Sequence, residues 1–201
     1  MLTVPGKIMN EQLREKLLAM QAEDVRVREQ LAATGELFDG YHPLMEQVHL
    51  KNAAELEPMI DAHGWLGEST VGADGAAAAW LIAQHAISLP DFSRKCLRLI
   101  EKAVAANEAE PRQAAYLHDR ISFFERRPQR YGTQSDWNKG GLMEVWRLED
   151  AEKVNEYRRA VGLQPLESLT WENAETRENQ PNDYTERQAE FEAWAKRVGW
   201  R

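Results

Sequence analysis

His85 is the first residue whose type and position suggest chemistry. It follows Gln84 at the end of the segment ADGAAAAWLIAQHA, in which residues 76–83 form an uninterrupted apolar run. A helix that is apolar on every face lies inside its domain, so a histidine at its end is shielded from water and its pKa is open to tuning. His85 is therefore a candidate general base or acid. The alternative is a core histidine that is hydrogen-bonded to a carbonyl group.

Asp119 and Arg120 form a second candidate, in the segment AAYLHDR. On a helix, Arg120 lies beside the apolar stripe of Leu117 and Ile121, whereas Asp119 points about 100° away. Neighbours in a helix do not face each other, so we expect the two side chains to have separate partners. One of them could meet His85 and form the carboxylate–imidazole pair that orients a general base. The alternative is a salt bridge that anchors the helix.

The polar segment RPQRYGTQSDWNKGGL, residues 127–142, directly follows that helix. Tyr131 and Thr133 flank a flexible glycine, and Gln134 adds an amide that can both donate and accept hydrogen bonds. Such a loop can bring several hydrogen-bonding groups to one point, as a ligand site requires. It can equally be a turn whose polar groups satisfy nearby helix ends.

Other chemical signals are weak. There is no glycine-rich nucleotide motif and no serine-hydrolase motif, and the single cysteine, Cys96, lies in RKCLRLI like a buried small hydrophobe. The histidines show no HxxxH or HExxH spacing, so a metal site would have to assemble from distant segments. We therefore expect neither a metal nor another cofactor. The five histidines are His42, His49, His63, His85 and His118.

Helical periodicity predicts the elements that position these residues. An amphipathic helix is predicted over residues 11–33, and Asp24 interrupts its apolar stripe. Arg28, four residues further on, could pair with Asp24 at the edge of the core. Further helices are predicted from about Asn52 to a stop at Gly64, over the apolar run, and after Pro90, Pro111 and Asp150.

These elements predict an all-α fold, with a single compact multi-helix domain around a buried central helix. A short extended or loop element is expected near residues 130–146. The composition becomes polar after residue 168. We therefore divide the chain into a helical domain, residues 1–168, and a polar C-terminal appendage, residues 169–201, that ends in a short amphipathic helix.

Composition restricts the class of protein. The 201 residues are 43% hydrophobic and 29% charged, which is ordinary for a globular protein, and the formal net charge is −8. An acidic chain without a basic face argues against nucleic-acid binding, and no apolar stretch approaches the length of a membrane span. We expect a cytoplasmic protein whose partner is a small-molecule ligand or another protein. The oligomeric state is left open.

Several separate motifs together resemble a bacterial domain family of unknown function. In chain order they are NAAELEPMIDAHGWLGESTVG, AAWLIAQHA, AAYLHDR, RPQRYGTQ and RRAVGLQPL, and the resemblance runs from Glu11 to Leu166. It implies that the polar positions of these motifs belong together. This chain departs from the pattern at Ile87, where an acid is common, and at Leu66, where a proline is common. The implied shared positions are Asp24, Arg28, Gly64, Trp65, Gln84, His85, Asp119, Arg120, Tyr131 to Gln134, and Arg158 or Arg159.

We hypothesise that the Tyr131–Gln134 loop folds over the end of the central helix and completes one polar pocket. In that pocket His85 would act as general base or acid in metal-independent chemistry, Asp119 would orient it, and an arginine would hold an anionic group. The alternative is an interaction, accessory or immunity-type protein in which the polar cluster is structural. The residues assigned to substrate binding are Tyr131, Thr133, Gln134, Gln84, Arg158, Asp24 and Arg28.

Overall fold

The computed structural model of the protein describes residues 9–38, 40–173, 176–177, 179–181 and 183–201. Within these ranges it contains seven α-helices, one short 3-10 turn at Glu36–Phe38, and three short strands. The predicted all-α fold is confirmed. The helices are α1 Glu11–Thr34, α2 Pro43–His63, α3 Glu68–His85, α4 Pro90–Ala105, α5 Pro111–Phe124, α6 Val154–Ala160 and α7 Tyr184–Val198.

Helix α3 is the central helix that the apolar run predicts. It contacts α1, α2, α4 and α5, and its residues Ala78, Ala79, Ile82 and Ala83 are almost completely buried. Small alanine side chains let the surrounding helices approach the α3 backbone closely. The helix ends at His85, and the His85 side chain lies beside residues of α1, α2 and α5.

Helix α1 confirms the prediction over residues 11–33. Asn10 caps its N-terminus by accepting a hydrogen bond from the Leu13 backbone N–H, and Gly35 ends it in the left-handed conformation. The apolar stripe faces the core, and Asp24 is buried within the same stripe. A carboxylate in this position requires a partner on a neighbouring helix.

Helix α2 begins at Pro43, nine residues before the predicted start at Asn52. The segment HPL has the composition of a loop, but Pro43 occupies the first turn of the helix, where its missing N–H costs nothing. His42 caps this end, because its Nδ1 accepts a hydrogen bond from the Leu44 backbone N–H at 3.2 Å. The earlier start places His49 on the helix, facing α1 and α3.

A small antiparallel sheet follows α5. Its strands are β1 Ser135–Trp137, β2 Met143–Val145 and β3 Thr170–Trp171, in the order β1-β2-β3. The expected extended pair between residues 131 and 146 is therefore present. The third strand comes from the polar segment after residue 168, so that segment contributes directly to the sheet.

The C-terminal helix α7 packs against the main core. Ala195 is fully buried, and Trp200 is 5% exposed and donates a hydrogen bond from its indole N–H to the Ile87 carbonyl at 2.7 Å. Phe191 and Trp194 contact Phe124 at the end of α5. The predicted amphipathic helix thus completes one side of the core, while the domain boundary at residue 168 stays a prediction. No helix in the described part of the chain is sufficiently long and apolar to cross a membrane.

Candidate functional site

Asp24 and His85 form a buried carboxylate–imidazole pair. Asp24 is 1% exposed, and His85 Nδ1 lies 3.0 Å from Asp24 Oδ2 and 3.2 Å from Oδ1. A carboxylate can only accept, so the proton of this hydrogen bond belongs to His85 Nδ1. The other ring nitrogen, Nε2, is thereby left available to a ligand, and the His85 side chain is 22% exposed.

His49 is a second imidazole on the same carboxylate. Its Nε2 lies 3.2 Å from Asp24 Oδ2, and the His49 and His85 ring centroids are 5.0 Å apart. The Tyr41 hydroxyl lies 2.7 Å from His49 Nδ1, and the two rings stack. Asp24, His49 and His85 each offer one ligand atom, and these three atoms lie within 4.8 Å of one another. They are the described residues that could hold a metal ion together.

The electrostatics of the group follow from burial and hydrogen bonding. Burial alone would raise the pKa of Asp24, but the two imidazoles beside it, His49 at 3.2 Å and His85 at 3.0 Å, outweigh it and hold that pKa well below its usual range. Burial lowers the pKa of His85, and the hydrogen bond that His85 donates to Asp24 opposes this only in part. Burial, with Glu46 nearby, raises the pKa of the Tyr41 hydroxyl. The site therefore favours an ionised carboxylate beside a neutral His85 imidazole.

A cavity of about 290 Å³ opens beside this group. Its wall comes from α1, the start of α2, the end of α3, α5, and the turn between α1 and α2. A histidine that is oriented by a carboxylate thus borders a space large enough for a small ligand. The polar residues that line the cavity are Arg28, Tyr41, His42, His49, His85 and Arg120.

Arg120 brings a shielded positive charge to the cavity wall. Its Nη1 donates a hydrogen bond to the Gln84 carbonyl at 2.7 Å, and no carboxylate among the described residues pairs with it. Burial lowers the pKa of Arg120 to about 10. Arg28, also without an ion pair in the described ranges, lies exposed at the same cavity. Two guanidinium groups without acidic partners favour an anionic ligand.

A larger, mostly apolar cavity of about 590 Å³ adjoins the first one. The two cavities share Leu37, Gly40, Tyr41 and Ile87 in their walls. The far wall of the larger cavity comes from α5, β1 and α7. A ligand could therefore place a polar end against His85 and Arg120 and an apolar end in this second space. The aromatic residues that line the larger cavity are Tyr41, Phe123, Phe124, Trp137, Phe191 and Trp194.

Asp119 lies in a different network, which fixes the loop after α5. Its fully buried carboxylate accepts hydrogen bonds from the backbone N–H groups of Arg130, Tyr131 and Thr133 at 2.9–3.2 Å, and from the Thr133 hydroxyl at 3.1 Å. His118 Nδ1 lies 3.1 Å from the same carboxylate. With this many donors, the Asp119 oxygens are satisfied within the protein.

Arg158 and the glutamines complete that network. Arg158 donates to the Tyr131 carbonyl at 2.7 Å, and Gln134 donates from its side chain to Thr133 Oγ1 at 3.1 Å. Gln129, which is fully buried, bonds to the backbone of Gln134 in both directions. These contacts hold the loop in one conformation and account for the amides and hydroxyls of the segment RPQRYGTQ.

The structure thus corrects the predicted pocket. The carboxylate that orients His85 is Asp24, not Asp119, because Asp119 is saturated by the loop. The predicted pairing of Asp24 with Arg28 is also wrong, since Asp24 faces the two histidines. Asp119 and Arg120 do have separate partners, as expected from their spacing, and Arg120 shares the cavity with His85.

The remaining predicted residues divide between the two places. Tyr131, Thr133, Gln134 and Arg158 belong to the loop network and do not line the His85 cavity. Gln84 contributes its backbone carbonyl, which accepts from Arg120.

The two departures from the family pattern also have different surroundings. Ile87, where an acid was expected, lines the cavity beside His85. Leu66, where a proline was expected, is fully buried in the core.

Sequence reasoning missed His49 and Tyr41. Both lie before the predicted helix start at Asn52, in or just after the turn-rich segment GELFDGYHPL, so neither had a predicted face. One signal was present: His49 follows His42 by seven residues and Met45 by four, a helical spacing that an earlier start of α2 would have explained.

Comparison with known proteins places the chain in a family. The model of one family, described as a family of unknown function (DUF6624), matches residues 11–174. The match covers more than half of the 201 residues and extends from α1 through β3. No curated protein and no solved structure matches the chain. The chain therefore belongs to the family of unknown function DUF6624, as its resemblance to a family without an assigned function predicted.

Proposed function

We propose that the cavity beside Asp24 and His85 binds a small organic anion and that His85 performs acid–base chemistry on it. One observation carries this proposal: the same cavity is lined by a histidine that a buried carboxylate orients and by an arginine that has no acidic partner among the described residues. Burying a guanidinium group without a carboxylate partner is unfavourable, and an anionic ligand would offset that cost whereas an uncharged ligand would not. The cytoplasmic location of the protein stays a prediction from the sequence.

The roles follow from the contacts. Asp24 holds the His85 ring through Nδ1, so Nε2 is the nitrogen that exchanges a proton with the ligand or with a water molecule. The planar Arg120 guanidinium suits a carboxylate or phosphate group, because it can donate to two oxygens at once. Arg28 adds a second positive charge at the exposed side. Among the described residues, no serine, threonine, cysteine or lysine lines this cavity, which favours hydrolysis by activated water, isomerisation or elimination.

The adjoining apolar cavity indicates what else the ligand carries. Aromatic side chains surround it, and it shares walls with the polar cavity. We therefore expect a carboxylate or phosphate attached to an aromatic or aliphatic body. Phenyl phosphate and phenylacetate match this description, and benzyl alcohol offers the same ring without the charge.

Calorimetric titration with these three compounds tests the binding step. We expect phenyl phosphate or phenylacetate to bind and benzyl alcohol to bind at least about tenfold more weakly, since a charged hydrogen bond contributes roughly 1.5–3 kcal/mol. Arg120→Met should abolish this preference, whereas Arg98→Met, at an exposed position on α4, should leave it unchanged. Equal binding by wild type and Arg120→Met would refute the proposed anion site.

Turnover is tested with a chromogenic aryl phosphate monoester, which keeps the negative charge that Arg120 is proposed to bind. His85→Gln should retain binding and reduce the rate by about 100-fold or more, the range typical of losing a general acid or base. His63→Gln, on the exposed face of α2, is the matched control. A rate that is unchanged in His85→Gln would remove His85 from the chemistry.

A second candidate function is an interaction protein in which the polar residues are structural. The observation that favours it is the Asp119 network, whose hydrogen bonds are all used within the protein. If none of the anionic probes binds, this candidate gains support, and affinity purification with the whole chain as bait becomes the next measurement.

A further inference from the structure

We infer that Asp24, His49 and His85 form a binding site for one divalent transition-metal ion, with Zn²⁺ as the reference ion. The inference deepens the proposed anion site, on which it rests for the chemistry of the ligand but not for the binding of the metal. With the ion bound, His85 would be a metal ligand, and a water on the ion would take over the acid–base role proposed for His85. Two imidazoles and one carboxylate, donated by three different helices, are a donor set that suits Zn²⁺ and similar ions.

The spacing of the donor atoms fits a single ion. Asp24 Oδ2 lies 3.0 Å from His85 Nδ1 and 3.2 Å from His49 Nε2. An ion at about 2.1 Å from each ligand would see these pairs at angles of about 90–100°, between the octahedral and tetrahedral values. All three donor atoms lie within 4.8 Å of one another, so small side-chain movements suffice to close the site.

The second ring nitrogen of His49 provides an independent argument. The Tyr41 hydroxyl lies 2.7 Å from His49 Nδ1, so this ring nitrogen has a hydrogen-bonding partner. The other ring nitrogen, Nε2, lies beside the Asp24 carboxylate.

His49 Nε2 has no hydrogen-bond partner among the described residues. It is buried and lies 3.2 Å from Asp24 Oδ2, but the two atoms are not aligned for a hydrogen bond. A buried polar atom without a partner is unfavourable. A metal ion between Nε2 and the carboxylate would bind both atoms, whereas the competing explanation is a proton on Nε2.

The contacts behind His49 are those expected behind a metal ligand. Metal-binding histidines commonly donate their second N–H to an acceptor that fixes the ring orientation. Here the Tyr41 oxygen lies 2.7 Å from His49 Nδ1 and could accept that N–H when Nε2 binds the ion.

Metal binding would change the tautomer of His85. Its Nδ1 now carries the proton donated to Asp24, so coordination through Nδ1 requires that proton to move to Nε2. The free coordination positions would border the 290 Å³ cavity, beside Arg120. A water or an anionic ligand in those positions would be polarised by the ion, and Arg120 would hold a second oxygen of the same ligand.

Zinc uptake by tag-free, chelator-treated protein tests the inference. Equilibrium dialysis followed by elemental analysis should show one Zn²⁺ per chain for the wild type. Asp24→Asn and His49→Gln should weaken uptake by more than about 100-fold, because they remove a ligand rather than a supporting contact. His63→Gln is the control, since it makes the same substitution at an exposed position of the same helix. Circular dichroism verifies that each variant is folded.

Two further measurements do not depend on losing a ligand. Co²⁺ added to the wild-type protein should give the visible absorption bands of an ion in a nitrogen and oxygen environment. Tyr41→Phe, which removes only the hydroxyl behind His49, should lower zinc affinity by about 10–100-fold. Equal uptake by wild type and His49→Gln, or no uptake by the wild type, would overturn the inference.

The outcomes separate this inference from the proposed function. Stoichiometric zinc uptake without binding of phenyl phosphate or phenylacetate supports the metal site and removes the anion site. Anion binding that survives chelator treatment, in a protein that takes up no zinc, overturns the metal site and leaves the anion site intact.

Discussion

Replacement of Asp119 by alanine tests whether the loop network serves stability. The change removes the acceptor of three backbone N–H groups and one hydroxyl proton. Each hydrogen bond to a charged group contributes roughly 1.5–3 kcal/mol, but the contributions are not additive and the freed loop can be rehydrated. We therefore expect the free energy of unfolding to fall by about 3–5 kcal/mol, as when one partner of a buried charged contact is removed.

For a domain of this size, that loss corresponds to a decrease of about 6–20 °C in Tm, at about 2–4 °C per kcal/mol. Asp119→Asn keeps one carbonyl oxygen for the loop and should lose roughly half as much. Thermal and urea unfolding, followed by circular dichroism, measure both variants. A loss below about 1 kcal/mol for Asp119→Ala would refute the structural role. A loss of zinc or anion binding in the same variant would refute it more strongly, because, among the described residues, Asp119 bonds to the loop and not to Asp24, His49 or His85.

Three further substitutions test the surroundings of the two networks. Arg120→Met should change the free energy of unfolding by less than about 1 kcal/mol, or raise it. The reason is that, among the described residues, the buried guanidinium pairs with the Gln84 carbonyl and with no carboxylate. A loss above about 3 kcal/mol in urea unfolding would contradict this prediction. Gly132→Ala should lose more stability than Gly162→Ala. Both glycines have positive φ, a conformation that costs an alanine roughly 1 kcal/mol. At Gly132 the new Cβ would also lie 2.7 Å from the Leu166 side chain, whereas at Gly162 it would meet nothing within 4 Å. Equal Tm values for the two variants would contradict the predicted clash. Trp200→Ala should cost about 3–5 kcal/mol, as for other large core residues, and an unchanged Tm would mean that α7 does not belong to the cooperative core.

The helical framework could be predicted because its signals are local. Periodic apolar residues identify α1, and an unbroken apolar run identifies α3 as central. Proline marks the starts of α4 and α5. These patterns depend on residues within one or two turns of each other. The start of α2 was the exception, since the composition of HPL has two interpretations and the capping contact of His42 decides between them.

The site could be predicted only in part because its partners are distant in sequence. Asp24 and His85 are 61 residues apart, and a buried carboxylate on an apolar stripe indicates that a partner exists without identifying it. Arg28, four residues away, was the nearest cation on the same face of α1, but two histidines on other helices pair with Asp24 instead. Asp119 was predicted to orient His85 because its partner, too, could not be identified from the sequence. Its true partners are backbone N–H groups, which leave no trace in the side-chain pattern.

The contact between Trp200 and Ile87 has a consequence for the order of folding. The indole N–H of Trp200 reaches a carbonyl 113 residues earlier in the chain, two positions after His85. Helices α1 to α5 can begin to associate as they emerge from the ribosome, since domains generally fold from the N-terminal side during synthesis. The aromatic side of the core, around Phe124, stays open until residues 184–201 have also been made. During translation, therefore, the cavity would acquire its polar half first and its aromatic wall last.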